Sequence, residues 1–356
     1  MISICIITKN EEKNIGRCLE SIKHLGQEIV VLDTGSTDAT KEIAKRYTTS
    51  VYDFCWQDDF SEARNECARK ATKDYILFMD SDEFIDNDLS MNFSEIVSTI
   101  MNNDESIGTV VIRNIFTKKE CKETRERVGR VYNREKYCYC GRIHEQLRSI
   151  DGAKETYYKL SLFLGHTGYD LDHSEAIEKA HRNITLLNEE LSLAIKNHKK
   201  EEVPYIYYQI GKSFYMSRDF KEASTYFEKA MEYDLDSQLI YVQDLVETYG
   251  YTLIETNCYE KALGFENIYQ VFCESSDFLF LMGLIYMKNA MFDRAISEFL
   301  FATQKKECKV QGVNSFLAFY NAGVIEECRG HIDEAIGYYK KCGDYKLARD
   351  RLKELR

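Results

Sequence analysis

The chain has a single proline, Pro204, and only 18 glycines in 356 residues. So few breakers exclude a long Pro/Gly-rich linker, so its domains should be joined by structured helix. Long apolar runs are missing too, and no stretch reaches the roughly 20 residues that a membrane-spanning helix needs. Met1–Thr8 is shorter than the apolar core of a secretory leader and runs straight into Lys9-Asn10-Glu11-Glu12. A cytoplasmic protein without a transmembrane segment is therefore expected. No Lys/Arg-rich block occurs, and 59 acidic residues against 47 basic ones leave a net charge of -12. That balance argues against nucleic acid as a partner and suits a divalent metal or a basic partner. The 12 cysteines are scattered from Cys5 to Cys342 rather than clustered, which points to thiols in a reducing compartment. Cys138-Tyr139-Cys140 is the one tight pair, and it has no second Cys or His pair to complete a zinc site.

What is present favours two domains, because 356 residues exceed one ordinary core. The first half alternates strand and helix patterns. Ile2–Ile7, Glu28–Leu32, Ser50–Phe54, Tyr75–Met79 and Thr109–Arg113 read as strands. Helices are expected through Ile15, Leu19 and Ile22, from near Ala39, and over Phe60–Ala71. Such alternation predicts a parallel sheet with helices on both faces and a ligand outside the strands' carboxyl ends. Short polar groups fall at those ends: Thr8, Asn10 and Glu11 after the first strand, Asp33, Ser36 and Asp38 after the second, and Asp80, Asp82 and Glu83 after the fourth. Ser36 or Thr37 alone would serve equally well as a helix cap; three strand ends together are harder to dismiss.

Asp80-Ser81-Asp82-Glu83 is the sharpest feature. Carboxylate oxygens suit Mg2+ or Mn2+, and residues i and i+2 of an extended segment face one side, so Asp80 and Asp82 are expected to converge. A cation there would neutralise a diphosphate leaving group. A solvated acidic turn is the plain alternative.

Residues 1–90 resemble family 2 glycosyltransferases of the GT-A fold. The resemblance rests on Ile6-Ile7-Thr8-Lys9-Asn10-Glu11-Glu12, Val31-Leu32-Asp33-Thr34-Gly35-Ser36-Thr37-Asp38, Phe60-Ser61-Glu62-Ala63-Arg64-Asn65 and Asp80-Ser81-Asp82-Glu83, in that order. It implies a UDP-sugar donor, with UDP-glucose favoured, and Mg2+ or Mn2+ as cofactor. By match, Thr8, Asn10, Glu11 and Asp33 would bind the uracil and ribose, while Arg64 and Asn65 would line the donor pocket. Asp80, beside Ser81, would face the ribose and metal shell, and Asp82 would ligate the metal. Gly141-Arg142-Ile143-His144-Glu145-Gln146-Leu147 is similar to a Gly-x-x-His-Glu element of several branches. Inverting transfer needs a general base at the acceptor; Glu145 is the first choice, with His144 orienting it or replacing it. A polar pair on a surface turn is the alternative. In Gly165-His166-Thr167-Gly168-Tyr169, His166 either closes the metal shell or is merely hydrogen-bonded.

From Tyr205 onward a helical skeleton repeats. Gly211, Gly250, Gly283 and Gly323 each precede an alanine, at 223, 262, 295 and 335 respectively, within an amphipathic helix pattern. Small residues let paired helices approach while Tyr and Phe fill the gaps. The pattern resembles tetratricopeptide repeats, with some repeats longer than the usual ~34 residues; a different helical solenoid is the alternative. The expected organisation is an α/β, Rossmann-like GT-A nucleotide-sugar domain over 1–170, a connecting helix over 171–203, and an all-α tetratricopeptide-like domain over 204–356. That architecture is similar to the peptide glycosyltransferases that modify glycocin bacteriocins, the sublancin S-glycosyltransferase type. It implies a Cys or Ser of a precursor peptide as acceptor and a homodimer formed through the repeats. A cell-envelope saccharide or lipid-linked acceptor is the second reading, and a non-enzymatic repeat scaffold the third.

Overall fold

The computed structural model describes residues 2–86, 92–115, 123–167 and 173–355. Gly168 and Tyr169 of the last motif lie outside them. The chain divides into two compact units, Met1–Leu171 and Asp172–Arg356.

In chain order the first unit comprises β1 (Ile2–Thr8), α1 (Ile15–Ile22), β2 (Glu28–Asp33), α2 (Thr40–Ala44), β3 (Val51–Asp53), α3 (Phe60–Lys70), β4 (Tyr75–Asp80), β5 (Glu83–Ile85), α4 (Phe93–Met101), β6 (Ile107–Ile115), β7 (Glu123–Asn133), β8 (Tyr137–Cys140), β9 (Gln146–Ser149) and β10 (Tyr157–His166). An eight-stranded sheet runs in the order β3-β2-β1-β4-β7-β6-β10-β5, and β8 pairs with β9 in a separate ribbon. β1 is buried along its whole length, as its β-branched run demands. Its two faces feed two cores. Ile2, Ile4 and Ile6 pack with Ile15 and Leu19 of α1 and Ile96 and Ile100 of α4. Cys5 and Ile7 pack with Ala63 and Cys67 of α3 and with Tyr139 and Leu147 of the ribbon.

Only part of the sheet is parallel, contrary to the sequence expectation. β3, β2, β1 and β4 run together, but β7 is antiparallel to both β4 and β6, and β5 is antiparallel to β10. A parallel crossover needs about a dozen residues or more. Only residues 116–122 separate β6 from β7, so the chain must double back.

The second unit is helical: α5 (His173–Lys196), α6 (Val203–Met216), α7 (Phe220–Met231), α8 (Ile240–Glu255), α9 (Tyr259–Ala262), α10 (Tyr269–Phe272), α11 (Ser276–Lys288), α12 (Phe292–Ala302), α13 (Phe316–Cys328), α14 (Ile332–Lys340) and α15 (Lys346–Glu354). Three helix pairs share one device. A Cβ on Gly211, Gly283 or Gly323 would lie 2.7, 2.6 or 2.7 Å from the ring of Phe227, Phe299 or Tyr339 on the paired helix. Each ring stands sixteen residues after its glycine and is fully buried. The weaker copy breaks the rule: sixteen residues after Gly250 comes Glu266, and Gly250 faces Leu281 of α11 instead.

Candidate active site

Parallel pairing sets β1, β2 and β4 side by side with their carboxyl ends level, Thr8 opposite Asp33 and Ile7 opposite Asp80. The loop after β2 is built by Asp33 itself, whose Oδ1 accepts from the N–H groups of Gly35 (3.0 Å) and Ser36 (2.8 Å). Gly35 takes φ 104° there, a left-handed value natural to glycine. Asp33 Oδ2 and Thr8 Oγ1 are buried without a hydrogen-bond partner. Two orphaned polar atoms on adjacent strand ends are costly unless a ligand satisfies them.

Asn10 and Glu11 are placed differently. Asn10, at φ 55°, accepts from Thr37 N–H at 2.8 Å through its side-chain oxygen, and its own N–H donates to Ser36 Oγ at 2.9 Å. It ties the first loop to the second. Glu11 accepts from Asn14 Nδ2 at 2.7 Å, and burial raises its carboxyl, opposed by that amide and reinforced by the charge of Asp82.

Ser81 and Asp82 form a turn between β4 and β5, not a continuous extended segment, so Asp80 and Asp82 do not share a face as the sequence spacing predicts. Asp80 directs one oxygen at Arg64 Nη2 (2.8 Å) and the other at Arg130 Nη2 (2.7 Å). Burial pushes its carboxyl up, but Arg130 and Arg64 outweigh this and hold it well below the usual range. Both lobes of the expected shell ligand Asp80 are thus committed to guanidinium groups. Arg64 also donates from Nε to Glu145, and its guanidinium stacks over Phe78 (4.6 Å) and Tyr139 (5.2 Å). Arg130 Nη2 reaches Glu83 at 3.0 Å as well, and burial lifts Glu83 to about 7 against the pull of Arg130. Ser81 is buried beside this network.

Asp82 turns to the other side. Its Oδ2 lies 3.0 Å from His166 Nε2, and His166 Nδ1 lies 2.8 Å from Asn114 Oδ1. Asn114 Nδ2 points at Glu126, 3.2 Å away, which leaves its oxygen facing the ring. The neutral ring therefore carries its proton on Nδ1 and aims the Nε2 lone pair at a carboxylate. That arrangement is matched by a second ring proton or by a cation that both groups ligate. Burial lowers the ring's affinity for a proton, and Asp82 more than reverses this. One imidazole and one carboxylate form a donor pair that suits Mn2+ better than Mg2+, which prefers oxygen ligands. Among the described residues no group of three His, Cys, Asp or Glu assembles for a metal, so such a cation would complete its shell with water and ligand oxygens. Arg17 steadies the turn by donating to the Asp82 carbonyl (3.2 Å) and Thr167 Oγ1 (2.7 Å).

Asn65, expected beside the donor, hydrogen-bonds at both ends of its amide to the main chain of Tyr139, each at 2.9 Å. It fastens α3 to β8. His144 adopts φ 52° in the turn between β8 and β9, next to Glu145. Arg17, Arg130 and Asn114 escaped the sequence reading. Each is a lone residue within a helix or strand, outside any motif, and only the alternation of β7 would have aimed Arg130 inward.

Residues 3–144 match glycosyl transferase family 2, and residues 204–237 match a tetratricopeptide repeat. The SPbeta prophage-derived glycosyltransferase SunS of Bacillus subtilis (strain 168) is 30% identical over 235 residues, covering 65% of this chain and 53% of that protein. The chain thus spans about half the length of this curated relative. A TPR repeat-containing protein of Synechococcus elongatus is 44% identical over 82 residues, 23% of this chain and 20% of that one. The crystal structure of YrrB, a TPR protein, aligns with TM-score 0.37 and 24% identity over 51% of this chain and 98% of that one.

Proposed function

We propose, from the match of residues 3–144 to glycosyl transferase family 2 and of residues 204–237 to a tetratricopeptide repeat, that the chain is an inverting hexosyltransferase. Its donor is a UDP-sugar, UDP-glucose first, and its acceptor a Cys or Ser side chain of a peptide. The observation that carries the donor half is the pair of partnerless buried atoms, Thr8 Oγ1 and Asp33 Oδ2, on adjoining strand ends. A nucleoside offers the N–H and hydroxyl groups that would satisfy both. The acceptor half rests on the architecture, which resembles the glycocin peptide glycosyltransferases. The repeat unit then binds the peptide or pairs two copies of the chain.

In this reading Asp82 and His166 would hold Mg2+ or Mn2+, and such a cation would supply positive charge to offset that of a departing diphosphate. Arg64 and Arg130 keep Asp80 ionised and in place. Glu145, oriented by Arg64, takes the proton from the acceptor sulfur or oxygen as that atom attacks the anomeric carbon. The leaving UDP departs from the opposite face, so the anomeric configuration inverts.

The reading is tested by incubating the chain with a panel of UDP-sugars and manganese, with and without a Cys-containing peptide, and following UDP release and peptide mass. Glu145→Gln is expected to lose turnover by roughly a thousandfold while binding donor normally. Asp82→Ala is expected to lose turnover and its manganese dependence. If no UDP-sugar is hydrolysed or transferred under any of these conditions, the proposal fails.

A further inference from the structure

On β8, side chains alternate: Tyr137 and Tyr139 point into the core, while Cys138 is half-buried and Cys140 exposed on the other side. Their Sγ atoms stand 3.9 Å apart. We propose that Cys138 and Cys140 form a dithiol modification site, closed to an intrastrand disulfide by a low-molecular-weight disulfide such as oxidised glutathione, and that closure disarms the Arg64–Glu145 pair. The chemistry is two exchanges. The thiolate of Cys140, the more exposed, attacks one sulfur of the small disulfide, forming a mixed disulfide and releasing one thiol. The thiolate of Cys138 then attacks the Cys140 sulfur and releases the second. The small disulfide is reduced to two thiols, which take up the protons the two cysteines lose.

Closure cannot leave the strand as it is. Residues i and i+2 of an extended strand lie about 6.6 Å apart, near the upper limit of roughly 6.8 Å for disulfide-linked Cα atoms, and the sulfurs must close to about 2.05 Å. The strand therefore bends at Tyr139. Strand pairing opposes bending on one edge only, because β8 pairs with β9 alone; the rest of the resistance is the hold on Tyr139.

Tyr139 is where bending matters. Its N–H and C=O are the groups held by Asn65, and its ring lies against the Arg64 guanidinium. Arg64 holds Glu145, five residues beyond Cys140 and reached through Gly141 at φ 98°. A bent β8 thus shifts Tyr139, then Arg64, and with it the orientation of Glu145. A bond so strained is also easily reduced, which makes the change reversible.

The test uses the full chain with Cys55→Ser, because Cys55 is exposed beside Trp56, the sole tryptophan. Trp56 packs edge-on against Phe60 at 4.7 Å, and Phe60 N–H donates to the Arg142 carbonyl at 2.8 Å, so its fluorescence reports on the segment after β8. With oxidised glutathione, Cys138 and Cys140 should jointly lose two hydrogens by peptide mass, Trp56 emission should shift, and UDP-sugar turnover should fall roughly tenfold or more. Dithiothreitol should reverse all three, and Cys138→Ser or Cys140→Ser should abolish all three while keeping basal turnover. Two thiols that stay alkylatable, or that each carry a separate glutathione, refute the site. A disulfide that forms without moving Trp56 or turnover refutes the coupling. The turnover arm rests on the transferase reading: a disulfide and Trp56 shift in a chain that turns over no donor when reduced sinks that reading and leaves the dithiol site standing.

Discussion

Around Arg64 the sheet unit packs five charged side chains, Arg64, Arg130, Asp80, Glu83 and Glu145, into one linked network at the strand ends. Around Phe227, Phe299 and Tyr339 the helical unit instead presses rings onto glycines, the same contact three times. The first arrangement is expensive to assemble, because each buried charge must be paired, and it sits at the candidate site. The second is cheap, local and repeatable, because each hairpin makes its contact within sixteen residues. Buried charge is not confined to the sheet unit, however. On α8, Asp244 accepts from Tyr208 (2.5 Å) and Lys212 (2.9 Å) and pairs with Lys309, while its neighbour Glu247 accepts from Ser275 at 3.2 Å. The difference lies in where unmatched atoms sit: the sheet unit leaves Asp33 Oδ2 and Thr8 Oγ1 side by side at the ends of β2 and β1, whereas among the described residues of the helical unit Gln209 Oε1, within α6, is left by itself.

The sharpest way to break the contrast is to remove the hub. Arg64→Ala strands Glu145 with an uncompensated charge and takes from Asp80 one of its two guanidinium partners, and is expected to cost the sheet unit about 3–5 kcal/mol. Arg64→Lys should recover only part, since an ammonium cannot reach both carboxylates and stack on Phe78 at once. Trp56 lies in the sheet unit, so its fluorescence during urea unfolding isolates that unit's transition. If Arg64→Ala leaves this transition in place, the network contributes nothing to the fold.

The contrast also explains what could be read from sequence. The repeats were legible because helix geometry forces their glycines, alanines and rings to recur at a fixed distance along the chain. Likewise β1, β2 and β4 were legible as short apolar runs, and the polar ends Thr8, Asp33 and Asp80 with them. What escaped depends on partners far apart in sequence. Nothing near Asp80 shows that Arg130 takes one of its oxygens, fifty residues on. Nothing near Asn65 shows that Tyr139 claims its amide, or near His166 that Asn114 sets its tautomer. The run Asp80-Ser81-Asp82-Glu83 suggests an extended segment, but a turn at Ser81 and Asp82 sends its two aspartates to different partners.

A pH effect sharpens the comparison from the helical side. Burial pushes the Glu247 carboxyl up to about 8, and the charge of Asp277 adds to this. Lys309 Nζ stands 3.5 Å away but is drawn to Asp244. A carboxyl whose pKa is higher folded than unfolded favours the native state while protonated. That contribution is full below the unfolded value of about 4.3 and is lost as pH rises to about 8. Helical unfolding followed by circular dichroism should therefore weaken over that window by up to about 5 kcal/mol. Glu247→Gln should flatten the slope. An unchanged slope in the variant would assign it to other groups.

The smallest expected effects come from two glycines on paired helices. Gly323 on α13 faces the Tyr339 ring, which is fully buried and whose hydroxyl donates to Glu327 at 2.7 Å. The ring cannot swing aside without leaving its core or its hydrogen bond. Gly323→Ala should thus destabilise the helical unit by about 1–3 kcal/mol. Gly337, on α14, has nothing within 4 Å of a built Cβ and a right-handed backbone. Only its conformational freedom in the unfolded chain changes on substitution, so Gly337→Ala should stabilise by about 0.5–1 kcal/mol. The same chemical change, fourteen residues apart, should move thermal unfolding in opposite directions. If both variants shift it the same way, helix propensity alone governs these hairpins, and the glycine–ring contact is not what holds them together.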